Sequence, residues 1–270
     1  MKLVTVFFDL EAPFLWNRRR AKIDIEGVVE RICEVLSRFG VKAAFNVCGL
    51  VGERFPEIIV KLYEEGHEIS SHGYAHENFL EITPSQLDKV LQKTERTLRN
   101  LTGEKPVGVR SPWLLWNEQI YRVIERRGYL WVSNLSVPFR MTRAHLYSHA
   151  VSPLKWIIHK MAYDIKWQFH KKEPFQVGDL IEIPLTSPLD IFCIYPFPDP
   201  LKDSPSKSLE EAYEILVKHY NLSRRYFNLN FHPHTIGTRN RILLLSRMLR
   251  YLSSQQDVCF ILPRQLVKSL

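Results

Sequence analysis

The chain reads as an α/β protein, a distorted (β/α) barrel with seven or eight parallel strands, and three observations predict it. Short apolar runs alternate with stretches of helical periodicity from one end to the other, the signature of βα units on a parallel sheet. At 270 residues the chain is the usual size of a single α/β barrel. Residues able to do chemistry also fall just after predicted strands, where barrels of this kind place their chemistry.

Taken in order, residues 3–8 form the first strand, and 25–39 follow as an amphipathic helix stopped by Gly40. The segment 42–48 is a second strand, a helix runs from Pro56 to Gly66, and 67–71 is the third strand. Thr83-Pro-Ser-Gln86 supplies an N-cap, a proline at the first helical position and a glutamine three residues on, which predicts a helix over 84–101. The fourth strand is 107–110, with a helix over 117–127 stopped by Gly128, and the fifth is 129–134. Residues 180–184 are the sixth strand, and Ser208-Leu-Glu-Glu211 caps a helix reaching about Tyr220. A seventh strand at 227–232, a helix over 239–252 and an eighth strand at 258–262 complete the chain.

One domain over 1–270 is expected, carrying an insert at about 139–178. The insert holds Arg140, Arg143, Lys155, Lys160, Lys166, Lys171 and Lys172 against Asp164 and Glu173, interleaved with Trp156, Tyr163, Trp167 and Phe169. Such a segment suits peripheral membrane association or a cover over a lipid-linked substrate. It equally suits a helical excursion that packs its aromatics on the barrel and leaves a basic face in solvent.

The net charge of +8 favours an acidic partner such as a phosphate or lipid headgroup, and with no recognised motif a nucleic-acid partner is not expected. Hydrophobic content of 45% without an apolar run of membrane-spanning length predicts a soluble protein. The apolar run before Asp9 ends on a carboxylate and has no small-residue cleavage site, so it reads as a strand and not a signal peptide. Cys33, Cys48, Cys193 and Cys259 are widely spaced, mostly among apolar neighbours, which predicts reduced, mostly core thiols and a cytoplasmic setting.

The chemistry centres on Gly66-His-Glu-Ile-Ser-Ser-His-Gly-Tyr-Ala-His76. A helical turn after its strand would set His72 and His76 on one face, close enough to share a metal ion, although this spacing also arises on a solvated helix face. Partners appear after other strands: Asp9 and Glu11, Arg110-Ser-Pro-Trp113, Glu182-Ile-Pro-Leu-Thr-Ser-Pro188, and His232-Pro-His234.

Together these segments resemble the polysaccharide deacetylase family, in its allantoinase-like and peptidoglycan-deacetylase-like branch. Phe8-Asp-Leu-Glu11 is similar to the first family motif, Gly66 through His76 to the metal-binding histidine motif, Arg110-Ser-Pro-Trp113 to the third, and Phe231-His-Pro-His-Thr-Ile-Gly237 to the last. The resemblance implies a distorted barrel that uses a divalent metal, most often zinc, to hydrolyse an N-acyl group on a sugar or sugar conjugate. It implies Asp9 as general base, Arg110 as the residue that orients it, and Glu11, His72 and His76 as metal ligands. Trp113 would supply an oxyanion-binding backbone N–H, with Pro112 and His234 beside the substrate, and His232 would be the general acid, His234 being the second choice.

Each residue also has a plainer role: Asp9 as a loop cap, Arg110 in a rim salt bridge, Trp113 as a core aromatic. Glu11 stands where the family usually has Asp, and its extra methylene would crowd the ion or replace it. Asn46, His67, Asn134 and Thr186 are weaker pocket candidates with ordinary strand-end roles. Glu182 through Pro188 is similar to a segment of enzymes that deformylate lipid-linked aminosugars, which extends the expected substrate to a membrane-bound acceptor at the inner face. Two other readings stay open: an allantoinase-like hydrolase of a cyclic amide, working without metal, and an inactive barrel that binds glycan or lipid.

Overall fold

The computed structural model describes residues 1–11, 24–135, 171–190 and 208–270. Its strands are β1 (Lys2–Leu10), β2 (Ala44–Val47), β3 (Glu68–Ser71), β4 (Gly108–Val109), β5 (Trp131–Val132), β6 (Phe175–Val177), β7 (Leu180–Glu182), β8 (Tyr226–Phe231) and β9 (Val258–Phe260). Around them lie α1 (Ile25–Arg38), α2 (Gly49–Arg54), α3 (Pro56–Glu64), α4 (Pro84–Thr102), α5 (Glu118–Arg126), α6 (Leu209–Leu222), α7 (Pro233–Ile236), α8 (Ile242–Ser253) and α9 (Pro263–Lys268). The expected capping box opens α4, with Thr83 and Gln86 each bonded to the other's backbone N–H.

The sheet runs in the order β6-β7-β5-β4-β3-β2-β1-β8, with β9 paired to β1. Strand β1 is long enough to serve three neighbours. One edge pairs with β8 along Leu3–Phe8, while the other takes β9 at Lys2–Val4 and β2 at Phe7–Leu10. All of these pairings are parallel, as the alternating pattern predicts, except that β6 returns antiparallel onto β7 through Gly178 at φ +62. That hairpin corrects the sequence expectation, which counted 175–178 with the insert. Three residues are too few for a periodicity signal.

No backbone ladder joins β7 to β8. Side chains close that seam instead: Asn228 Nδ2 donates to the Pro184 carbonyl at 2.9 Å, and the Asn228 and Thr186 backbone N–H groups each donate to the other's side chain at 2.7 and 2.8 Å. Asn230 Nδ2 adds a 3.3 Å bond to the Ser187 carbonyl.

Alternation along the strands sorts residues to two sides. Val4, Val6, Phe8 and Leu10 face outward into the main core, with the apolar faces of α1, α3, α6 and α8. Thr5, Phe7 and Asp9 face inward, so the same strand that anchors the helices delivers a carboxylate to the cavity. Phe7, Ala44, Trp131, Ile183, Tyr226 and Leu266 fill the barrel beneath that cavity. Only glycine fits at 108, because a Cβ there would lie 1.8 Å from a Trp131 ring carbon. The indole crosses the barrel and donates to Glu68 Oε1 at 2.9 Å.

The insert over 139–170 lies outside the described residues, as does Cys193. Lys171 sits over the Phe175 ring at 4.3 Å. Cys33 and Cys48 are buried as expected, whereas Cys259 is exposed on the last strand. Among the described residues, no helix is long and apolar enough to cross a membrane.

Candidate active site

The residues nominated from the sequence as catalytic groups and metal ligands stand on the rim at the carboxyl ends of the strands. Asp9 is the next-to-last residue of β1, and a tight turn, with the Glu11 N–H donating to the Asp9 carbonyl at 3.1 Å, sets Glu11 beside it. His72 follows β3, Arg110 follows β4 and His232 follows β8.

His72 and His76 are buried, at 2% and 7% exposure, which rules out the solvated face. The helical turn expected between them is absent. A loop does the work instead, with Gly73 at φ +73 and His76 at φ +61, and with Glu77 accepting the Tyr74 and Ala75 N–H groups at 3.0 and 2.9 Å. The ring centroids end 5.2 Å apart. His72 Nδ1 lies 2.8 Å from the Arg110 carbonyl, which fixes the proton on Nδ1 and turns the Nε2 lone pair to the cavity.

Glu11 reaches both rings, with Oε2 2.5 Å from His76 Nε2 and 3.7 Å from His72 Nε2. The short contact lacks hydrogen-bond geometry, so Oε2 is a buried carboxylate oxygen with no hydrogen-bond partner. Ligand atoms of Glu11, His72 and His76 all lie within 4.8 Å of one another. Two imidazole nitrogens and an orphaned carboxylate oxygen fit a divalent ion. Burial pushes Glu11 upward, but the His76 charge and the two imidazoles hold it well below the usual carboxylate range.

Asp9 is held through one oxygen. Oδ1 accepts from Arg110 Nη1 at 3.0 Å and from Asn46 Nδ2 at 2.6 Å, while Oδ2 faces His232 Nε2 at 3.9 Å. Burial raises its pKa, yet Arg110 first, then His72, His232 and Asn46, bring it below its ordinary value. Arg110 itself is fully buried, bonded to Ser133 and Asn230 and stacked 4.4 Å over Phe7, so it is no rim salt bridge.

The two histidines of the last segment separate clearly. His232 Nδ1 bonds Asp190 Oδ1 at 2.7 Å, which leaves Nε2 directed at Glu11 Oε1, 3.6 Å away. Burial disfavours its imidazolium, but Asp190, with Glu11 and Asp9 behind it, raises the pKa to about 9. Burial instead drives His234 down to about 3, so it is neutral. Trp113 is 37% exposed with its ring edge-on to His76 at 4.3 Å, a wall of the cavity and not a core aromatic. Pro112 is buried beneath it.

Sequence reasoning missed Asp190, whose backbone-and-ring grip on His232 is completed by the His232 N–H donating to Oδ2 at 2.8 Å. A carboxylate just past the sixth strand was the available signal. Asn46, a weaker candidate from the sequence, belongs to the site through its bond to Asp9, whereas Thr186 belongs to the seam and His67 to the opposite end of β3. There His67, Cys33 and Glu65 form a second cluster. The Ala43 N–H donates to His67 Nδ1 at 3.1 Å, so the ring proton sits on Nε2 and that nitrogen has no lone pair for an ion. Burial also pushes the Cys33 thiol up to about 12.

Residues 2–132 match the family model for polysaccharide deacetylase. The chain is 33% identical over 110 residues to a peptidoglycan deacetylase-like protein of Gibberella zeae, covering 40% of this chain and 32% of that one. It is 34% identical over 83 residues to a peptidoglycan-N-acetylglucosamine deacetylase of Bacillus cereus, covering 31% and 30%. These matches thus span about a third of the relatives' length. A crystal structure of a Mycobacterium smegmatis protein assigned to the polysaccharide deacetylases superposes with a TM-score of 0.77 at 22% identity, over 99% of this chain and 89% of that one, and so shares the fold. The matched segment carries Asp9, Glu11, His72, His76 and Arg110 on this rim, and over it the chain is similar to the polysaccharide deacetylase family.

Proposed function

We propose that this protein is a hydrolase that removes an N-acyl group, acetyl or formyl, from an aminosugar or sugar conjugate, holding a divalent ion at Glu11, His72 and His76. Zinc is the ion that two imidazoles and a carboxylate suit best. The observation that carries the reading is the meeting of three units within one buried rim: the Glu11/His72/His76 cluster, the Asp9–Arg110 pair and the His232–Asp190 pair.

Bound there, the ion would lower the pKa of a water and polarise the acyl carbonyl. Asp9 takes the proton from the attacking water through Oδ2, because Arg110 and Asn46 occupy Oδ1 and keep the group ionised. The Trp113 backbone N–H donates to the oxyanion that develops on the carbonyl oxygen. His232, kept protonated by Asp190, delivers a proton from Nε2 to the departing amine nitrogen. Asp190 has the orienting part in this pair, and neutral His234 lines the pocket behind it.

The test is acetate or formate release from N-acylated glucosamine oligomers by the zinc-loaded protein, beside Asp9→Asn. Turnover that disappears in Asp9→Asn supports the reading; an unchanged rate excludes Asp9 as base. One contact favours a second reading, an allantoinase-like hydrolase of a cyclic amide that works without metal: Glu11 Oε2 already touches His76 Nε2 at 2.5 Å. Full activity after exhaustive chelation, with no ion found by mass spectrometry, would select it. A lipid-linked acceptor at the cytoplasmic membrane face extends the first reading, supported by the basic aromatic run over 139–178.

A further inference from the structure

The strained part of the rim is the turn after β4. Trp113 (φ 52, ψ 18) and Leu114 (φ 58) are consecutive non-glycine residues in the left-handed region. Side chains with a Cβ keep that conformation only where surrounding contacts over-determine it. Here those contacts can be traced. The Ser111 N–H donates to Asn134 Oδ1 at 2.7 Å, the Leu114 N–H to the Ser111 carbonyl at 2.9 Å, and the Leu115 N–H to the Pro112 carbonyl at 3.2 Å. Buried Leu115 anchors the far side.

Asn134 is itself held from the next strand. Glu182 Oε1 accepts the Asn134 and Leu135 N–H groups at 2.9 and 2.8 Å, and Glu182 Oε2 accepts the Tyr121 hydroxyl at 2.5 Å. Glu182 is fully buried and its backbone pairs in register with Val132. A buried carboxylate is costly unless several donors satisfy it, and these three do. Neither oxygen bonds to Asp9, Glu11 or the cavity histidines, so the chemistry assigned to the rim leaves this carboxylate without a use.

We infer that Asn134 and Glu182 are positioning residues: through the chain of bonds Glu182–Asn134–Ser111, strand β7 fixes the pose of the turn that carries Trp113, and with it the side of the pocket that receives the acyl oxygen. The inference rests on the reading above for the part it gives to the Trp113 N–H. Asn134→Ala removes the acceptor of the Ser111 N–H. Glu182→Leu removes the acceptor of three donors. Glu182→Gln keeps the shape, with the amide oxygen accepting both backbone N–H groups and the amide nitrogen donating to the Tyr121 oxygen.

Two measurements are made on the zinc-loaded chain: kcat and KM for acyl release, and amide hydrogen exchange by mass spectrometry of a peptide spanning 110–116. In Asn134→Ala and Glu182→Leu, kcat should fall about ten- to a hundredfold with KM little changed, since a small misplacement of a transition-state donor acts on the chemical step. Exchange at 111–115 should speed up while the rest of the chain keeps its protection, and Glu182→Gln should resemble the wild type in both. Unchanged kcat and unchanged exchange in Asn134→Ala would overturn the inference, as would a Glu182→Gln variant as impaired as Glu182→Leu. If Glu182→Leu does not fold, Asn134→Ala and Glu182→Gln still decide. A wild type that releases no acyl group counts against the proposed function alone, because the exchange of the turn then tests the positioning by itself.

Discussion

Replacing Arg110 with Met tests the electrostatic centre of the rim. The guanidinium is wholly buried, and it is the strongest of the attractions that hold Asp9 below its ordinary pKa against burial. Met retains much of the packing over Phe7 but strips Asp9 Oδ1 of a 3.0 Å charge-assisted bond and leaves Ser133 and Asn230 short of donors. Removing one partner of a buried ion pair costs about 3–5 kcal/mol. For a chain of this size that lowers Tm by about 6–20 °C near neutral pH.

The pH dependence carries its own sign. In the wild type the folded pKa of Asp9 lies below the ordinary 3.8, so the pair contributes stability above that value and loses it as pH falls through the folded pKa. Without Arg110, burial dominates and the folded pKa of Asp9 rises above its unfolded value. The deficit of Arg110→Met should then widen as pH rises through the carboxylate range and be smaller at about pH 4 than at pH 7. Differential scanning calorimetry at both values measures it. A Tm within about 2 °C of wild type at pH 7, or an equal deficit at both pH values, refutes the argument.

Three further outcomes follow from the same geometry. Gly108→Ala should destabilise by about 2–6 kcal/mol, from overpacking against Trp131 plus the disturbed Trp131–Glu68 bond, read as a lower urea midpoint. Asp190→Asn removes the largest influence raising His232 from 6.5 to about 9, so the alkaline limb of kcat/KM should move down by about two pH units or more while activity near pH 6 is largely kept; an unmoved limb would exclude His232 as the acid. Zinc at about a hundred times its Kd should raise stability by about 2.7 kcal/mol in the wild type, seen as a higher Tm in a thermal-shift assay, and should leave His72→Ala unmoved.

Much of this site was readable along the chain because its parts sit at strand ends, where a period of two and a turn residue mark the position. Asp9, Glu11, His72, Arg110 and His232 are nominated by such positions, and their roles by the resemblance to the family motifs. The loop between His72 and His76 was misread because Gly73 at φ +73, a non-glycine residue at φ +61 and the Glu77 staple yield the same closeness that a helical turn would. Asp190 and Asn46 carry no such local mark, because their worth lies in what they touch, and their partners stand 42 and 37 residues away.

Local chemistry alone marked every strand but β6, the helices α1, α3, α4, α5, α6 and α8, the caps of α4 and α6, and which side chains of β1 turn inward, since propensity, capping and alternation act over a few neighbouring residues. Tertiary contact decided the rest. It closed the β7–β8 seam through Asn228 and Asn230, gave the proton to His232 and withheld it from His234, and led Glu11 between two imidazoles. Protonation and ligand geometry depend on charges and donors brought within a few ångströms from distant strands, and only the curled sheet brings them there.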